Sequence, residues 1–106
     1  MLDQKTYFKD KSIIVTGGVG SVGREIVDCL KSLDAKTIRV IDNNESALFD
    51  MEMEYKEYSN IEFYLCDITD EREMMRTFSG MDLCFHSAAL KHVPSCERSP
   101  FAAIRV

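Results

Sequence analysis

No stretch of this 106-residue chain approaches the roughly 18–20 consecutive apolar residues that cross a bilayer as a helix. The opening MLDQKTYFKDK also lacks the apolar core of a secretion signal. No membrane span is therefore expected, and the chain is expected to work in the cytoplasm. Positive charge is scarce: 13 Lys and Arg stand against 18 Asp and Glu, for a net charge of −5, and the basic residues are scattered. Nucleic-acid surfaces draw most of their affinity from clustered Lys and Arg, so no nucleic-acid partner is expected. Cysteine is limited to Cys29, Cys66, Cys84 and Cys96, with neither CxxC spacing nor the density of a disulfide scaffold. The first three lie in apolar runs and read as reduced core residues. No Asp/Glu/His/Cys grouping has metal-ligand spacing, and no Ser-His-Asp arrangement is recognisable, so neither a metal centre nor a nucleophilic triad is expected. Repeats and low-complexity tracts are missing as well, which argues against a solenoid and against disorder.

What is present is an ordinary globular composition, 45% apolar and 29% charged, long enough for one domain with one modest core. Ser12 to Thr16 (SIIVT) is a short β-branched run that ends in glycines, the pattern of a buried parallel strand. Val22, Ile26, Val27, Leu30 and Leu33 then recur at helical spacing, predicting a helix from Ser21 to Leu33. A second strand, Thr37 to Ile41, ends at Asp42, and a Met-, Glu- and Leu-rich helix follows from Glu45 to Tyr58 with Asn44 as N-cap and its acidic residues toward solvent. A third strand, Ile61 to Cys66, ends at Asp67. Thr69 or Asp70 can cap a short helix through Phe78 that buries Met74, Met75 and Phe78. The fourth strand is Leu83 to His86, and Ser99-Pro100 reads as a further helix start running toward Val106. Four strand-helix alternations with crossovers long enough for parallel pairing predict an α/β fold, a Rossmann-type doubly wound parallel sheet of order 3-2-1-4.

Chemistry concentrates where the first strand meets its helix. Thr16-Gly17-Gly18-Val19-Gly20-Ser21-Val22-Gly23 sets a GxxGxxG arrangement at that junction. Glycine there permits an unusual turn, close approach of a pyrophosphate to the main chain, and tight helix–strand packing. The helix N-terminus adds free N–H groups and about half a positive charge. A Walker loop is excluded, because no Gly-Lys-Ser/Thr follows. Asp42, followed by Asn43, lies 19 residues after Gly23, where a carboxylate accepts from both hydroxyls of an adenosine ribose; this favours NAD over NADP. Arg24 is a cation that could attract a 2′-phosphate. Asp67 could accept from an adenine amino group or cap a helix. His86 reads as a structural histidine. Lys91 could meet a phosphate or be merely solvated.

Taken together, TGGVGSVG, Asp42, CDITD and HSAALKHVPSCERSPFAAIRV closely resemble the extended short-chain dehydrogenase/reductase superfamily. Within it the resemblance is to the polysaccharide-biosynthesis group of UDP-N-acetylglucosamine 4,6-dehydratases and related epimerases, over nearly the whole chain from Lys11 onward. The resemblance implies that Gly17, Gly20 and Gly23 and the main chain at Ser21 and Val22 bind the pyrophosphate of NAD or NADP. It implies that Asp42 takes the ribose, that Asp67 and Ile68 hold the adenine, that Ala88 and Ala89 lie along the nicotinamide half, and that Lys91 sits near the cofactor or a UDP-sugar. The implied chemistry is a lyase reaction: hydride removal at C4 of the sugar, loss of water across C5 and C6, and hydride return to C6.

The resemblance also places the family's Tyr-x-x-x-Lys acid/base pair beyond Val106. The chain is therefore expected to be the front part of a longer enzyme, inactive alone, with no catalytic residue of its own. Arg24 departs from the small or neutral residue more usual at its position. An S-adenosylmethionine-dependent methyltransferase of similar topology and a non-catalytic nucleotide-sensing or assembly module are the alternatives. TGGxGxxG and AALKHVP disfavour the methyltransferase. With no fifth strand beside it, the strand Leu83 to His86 is expected to be an open apolar edge that invites self-association.

Overall fold

The computed structural model describes residues 7–87 and the backbone of residues 104–105. Five strands form one sheet in the order β3-β2-β1-β4-β5. They are β1 (Ser12–Thr16), β2 (Thr37–Asp42), β3 (Ile61–Leu65), β4 (Leu83–His86) and β5 (Ile104–Arg105). The first four pair in parallel, with Ile13 opposite Ile38 and Leu83, and Ile38 opposite Ile61. The expected 3-2-1-4 order is therefore present. Three helices, α1 (Ser21–Leu30), α2 (Glu45–Glu54) and α3 (Glu71–Phe78), make the crossovers.

The two-residue side-chain period of the strands divides the interior into two layers. Ile13 and Val15 of β1, Ile38 and Val40 of β2, and Leu83 and Phe85 of β4 meet Ile26, Val27 and Leu30 of α1 and Leu48, Met51 and Tyr55 on or beside α2. Ile14, Ile41, Cys66 and Cys84 face the other way and receive Met74, Phe78 and Met81. Helices α1 and α2 thus share one face of the sheet and α3 covers the opposite one. Strand β1, buried at all five positions, has no solvent face, which is why Ile13, Ile14 and Val15 follow one another without polar alternation between the small hydroxyl residues Ser12 and Thr16.

The helices are shorter than their apolar periodicity suggests, α1 stopping at Leu30 and α2 at Glu54. Leu33 still packs against the core from the turn beyond α1. The caps are where the sequence places them: Asn44 accepts from the Ala47 N–H at 3.1 Å, and Asp70 accepts from the N–H groups of Arg72 and Glu73 at 3.0 and 3.2 Å. Met75 is a correction. It is 69% exposed, because the inward stripe of α3 runs through Met74 and Phe78 and leaves position 75 about 100° away from the core. Cys66 and Cys84 are buried and Cys29 half-buried, all three as free thiols; Cys96 lies outside the described residues.

The C-terminal segment gives a second correction. Residues 104–105 are extended, not helical, and pair antiparallel with β4, Arg105 opposite Leu83 and Ile104 opposite Cys84. A strand edge presents a row of unpaired N–H and C=O groups, and extended backbone at residues 104–105 satisfies part of that row beside β4; the Ser99-Pro100 helix start lies outside the described residues. The edge of β4 is thus occupied at Leu83 and Cys84, and a second copy could pair there only by displacing β5. Among the described residues no helix is long and apolar enough to cross a membrane.

Candidate dinucleotide site

In a sheet of this order, strand succession runs outward from β1 to β3 and then returns across β1 to β4, opening a crevice at the carboxyl ends of β1 and β4. The glycine turn leaves β1 at that crevice. Gly17 takes φ +65°, a conformation that costs glycine little and other residues more. Its N–H donates to the Ile41 carbonyl at 2.9 Å, tying the turn to β2. At Gly23 the need is for space: an added Cβ would stand 2.6 Å from Gly18 Cα and closer still to the Gly17 carbonyl oxygen. A side chain there would push α1 off the turn.

Helix α1 differs from its neighbours at its start. Its N-cap is Gly20, which has no side chain to accept from the first-turn N–H groups, and its first turn carries no acidic residue. Helices α2 and α3 begin with side-chain caps and with acidic residues, Glu45 in one and Glu71 and Glu73 in the other. Among the described residues no side chain caps the positive end of α1, where the helix dipole favours an anionic acceptor.

That end opens into a groove of about 360 Å³ lined by Gly17, Val19, Gly20, Ser21, Val22, Gly23, Asp42, Asn43, Asn44 and Ser87. A smaller hollow of about 180 Å³ continues from it, sharing Gly17, Asp42 and Asn43 and adding Cys66 and Ile68. Asp42 stands where the two meet. One of its oxygens accepts from the Val19 N–H at 3.4 Å and the other from the Asn44 N–H at 3.0 Å. Each carboxylate oxygen accepts about two hydrogen bonds, so both keep capacity for a ligand hydroxyl.

The structure thus brings Gly17, Gly20, Ser21, Val22, Gly23, Asp42 and Asn43 to one groove and Ile68 to its extension. Asp67 lines neither cavity. Its Oδ1 accepts from the Thr69 hydroxyl at 2.6 Å and the Thr69 N–H at 2.9 Å, and these bonds, the hydroxyl's first, hold the carboxyl below its usual range. Ala88, Ala89 and Lys91 lie outside the described residues.

Ser87 belongs to the site although the glycine and aspartate pattern does not reveal it. Its hydroxyl, buried directly after β4, contacts the carbonyl oxygens of Thr16 at 2.6 Å and Gly17 at 3.0 Å. His86 Nδ1 is in hydrogen-bond contact with the Thr16 hydroxyl, across the β1–β4 register. Two side chains of β4 and its exit therefore hold the end of β1 in place. No sequence signal within 10 residues of Ser87 announces this, because its partners are 70 and 71 positions away.

Tyr7 and Lys11 reproduce Tyr-x-x-x-Lys spacing, but they precede β1 and so sit at the amino end of the sheet, across the molecule from the groove. The Lys11 ammonium lies 5.3 Å from the Tyr7 ring centroid, a cation–π contact. A third cavity, about 220 Å³, is lined by Arg39, Tyr64, Arg76 and Thr77. Arg39 there is spent on Glu62 and on the Thr77 carbonyl, at 3.0 and 2.7 Å, which ties β2 to β3 and to α3. Among the described residues no group of three or more His, Cys, Asp or Glu could hold a metal ion.

Comparison with known proteins agrees with this fold. The chain is 47% identical over 97% of its length to an uncharacterized membrane protein of Methanocaldococcus jannaschii. It is 38% identical over 92% of its length to a UDP-glucose 4-epimerase of Rickettsia typhi. It spans 31% and 29% of the lengths of these two relatives. Among solved structures, the enzyme WbmF of Bordetella bronchiseptica, crystallised with NAD+ and UDP, superposes with a TM-score of 0.61 at 26% identity, covering 76% of this chain and 24% of that one. The model of the polysaccharide biosynthesis protein family matches residues 13–106, and with the Rossmann-type sheet, the glycine turn and Asp42 in place, the chain belongs to that family, within the short-chain dehydrogenase/reductase superfamily.

Proposed function

We propose that this chain is the dinucleotide-binding part of an enzyme that modifies a nucleotide sugar, that it takes NAD in preference to NADP, and that the parent reaction is 4,6-dehydration of a UDP-sugar. The observation that carries the binding claim is the uncapped start of α1, opening on a groove whose far wall is Asp42. A diphosphate is the ligand such a helix end favours, since main-chain N–H groups and the helix dipole act on the same negative charge. Gly20 lets the phosphates reach the main chain, Ser21 and Val22 supply it, and Asp42 accepts from the ribose. A 2′-phosphate would meet the Asp42 carboxylate as a like charge, which favours NAD. Asn43 and Ile68 border the extension in which an adenine fits. The bound dinucleotide would supply hydride acceptance and return.

The finer reading, dehydratase rather than epimerase, is supported by the resemblance carried by AALKHVP and the Ser-Pro that follows it. Among the described lining residues of the groove Asp42 alone is ionisable, and the ribose role takes it up; the 106-residue chain is proposed to bind without turnover. Fluorescence titration with NADH tests the binding claim: saturable binding that S-adenosylmethionine fails to displace supports it, and displacement points to the methyltransferase alternative. For the reaction, the protein that carries this segment is incubated with UDP-N-acetylglucosamine. A 4-keto-6-deoxy product supports dehydration, and a C4 epimer in its place contradicts it.

A further inference from the structure

Arg24 follows Gly23, a lining residue of the groove, in the first turn of α1, so a free guanidinium at this place would be a cation at the groove's edge, able to meet a 2′-phosphate beside Asp42. It is not free. Its Nη2 donates to both carboxylate oxygens of Glu54, at 2.7 and 2.6 Å. The guanidinium carbon lies 5.7 Å from the centroid of the Tyr55 ring. The Tyr55 hydroxyl in turn donates to Asp28, one turn further along α1. Lys31 lies over the same ring at 5.4 Å and pairs with Asp28 at 3.4 Å.

Topology gives these contacts a direction. In a parallel sheet each crossover helix runs back against the strands, so the C-terminal end of α2, where Glu54 and Tyr55 stand, lies toward the amino ends of the strands. Asp42 and the groove are at the carboxyl ends. Arg24 is therefore drawn down between α1 and α2, away from the ribose position.

We infer that Glu54, backed by the Tyr55 ring and Asp28, is a specificity-determining residue that holds Arg24 out of the adenosine end of the groove and so disfavours NADP. This rests on the dinucleotide reading above. Glu54 touches no part of the groove and acts only through Arg24. The side chains of the pair are 36% and 56% exposed, so its grip is modest. Releasing an exposed pair of this kind is worth about a twofold to fivefold change in an equilibrium constant.

The test compares NADH and NADPH dissociation constants, by titration calorimetry on the whole chain, for wild type and three variants. Glu54→Gln keeps the side-chain shape and loses the charge; it is expected to tighten NADPH binding about twofold to fivefold and to leave NADH unchanged. Glu52→Gln removes the same charge from an exposed site on α2 without freeing Arg24, and is expected to leave the NADPH:NADH ratio as in wild type. In Arg24→Ala/Glu54→Gln the gain is expected to vanish. An unchanged ratio in Glu54→Gln overturns the inference, as does an equal gain in Glu52→Gln or in the double variant. If wild type binds neither dinucleotide, the cofactor reading fails and this inference falls with it, a result distinct from NADH binding with an unmoved ratio.

Discussion

The main-chain N–H of Val19 points at the Asp42 carboxylate across 3.4 Å, joining the glycine turn after β1 to the end of β2. Residues 23 positions apart thus form one wall of a groove, and the turn that would cradle phosphate is braced by the side chain that would hold the ribose. Asp42 has a structural duty, and the proposed ribose contact would fall on the same atoms, so its replacement is expected to affect both, binding more than stability.

Asp42→Ala should weaken NADH binding by about 1–3 kcal/mol, the usual cost of leaving hydroxyls without their acceptor. NADPH should lose less, because the repulsion of its 2′-phosphate is relieved at the same time. Parallel titrations with both dinucleotides check this, and an unchanged NADH affinity removes Asp42 from the site.

Gly23→Ala should destabilise the fold. The added methyl meets main-chain atoms of Gly17 and Gly18, not the yielding end of a side chain. Overpacking of this kind costs about 1–3 kcal/mol, and each kcal/mol lowers the Tm of a domain this size by about 4–8 °C. Thermal unfolding of wild type and variant decides it, with an unchanged Tm as the contrary result.

Much of the architecture was open to reading because two-sided burial sets Ile13, Ile14 and Val15 in succession at the centre of β1 and because Asn44 and Asp70 are caps whose targets lie two or three residues away. Asp42 was legible from its spacing to the glycines. Ser87, Glu54 and β5 were not, and for one reason: each acts through a partner distant in sequence. Ser87 needs the carbonyls of Thr16 and Gly17, Glu54 needs Arg24, and residues 104–105 need the edge of β4. Met75 misled because three apolar residues in five positions do not say which of them lies on the inward stripe of α3.

Ser87→Ala should loosen the junction of β1 and its glycine turn. The hydroxyl's contacts with two carbonyls are lost without leaving a cavity, so stability should fall by about 0.5–1.5 kcal/mol, with NADH affinity falling alongside it. Chemical denaturation and NADH titration on the same sample check both. A loss of stability with unchanged affinity would make Ser87 a fold residue only.

Tyr55 predicts an alkaline effect. Burial first, and then its bond to Asp28, push the Tyr55 hydroxyl from 10.0 up to about 12. Between pH 10 and 12 the unfolded chain has released this proton while the folded chain keeps it, so the unfolded state binds fewer protons and stability falls as pH rises. Below about pH 10 the contribution is fully present. Urea midpoints at pH 9 and 11 should therefore drop more for wild type than for Tyr55→Phe, and equal drops would contradict the assignment.

The measurement that bears most directly on the central claim is an amide chemical-shift titration of the 15N-labelled chain with NAD+. Saturable shifts concentrated at Gly17 to Gly23, with Asp42 and Asn43 following the same isotherm, are the predicted result. Shifts confined to the opposite cavity around Arg39 and Arg76, or none at all up to millimolar NAD+, would contradict a diphosphate seated on the open start of α1.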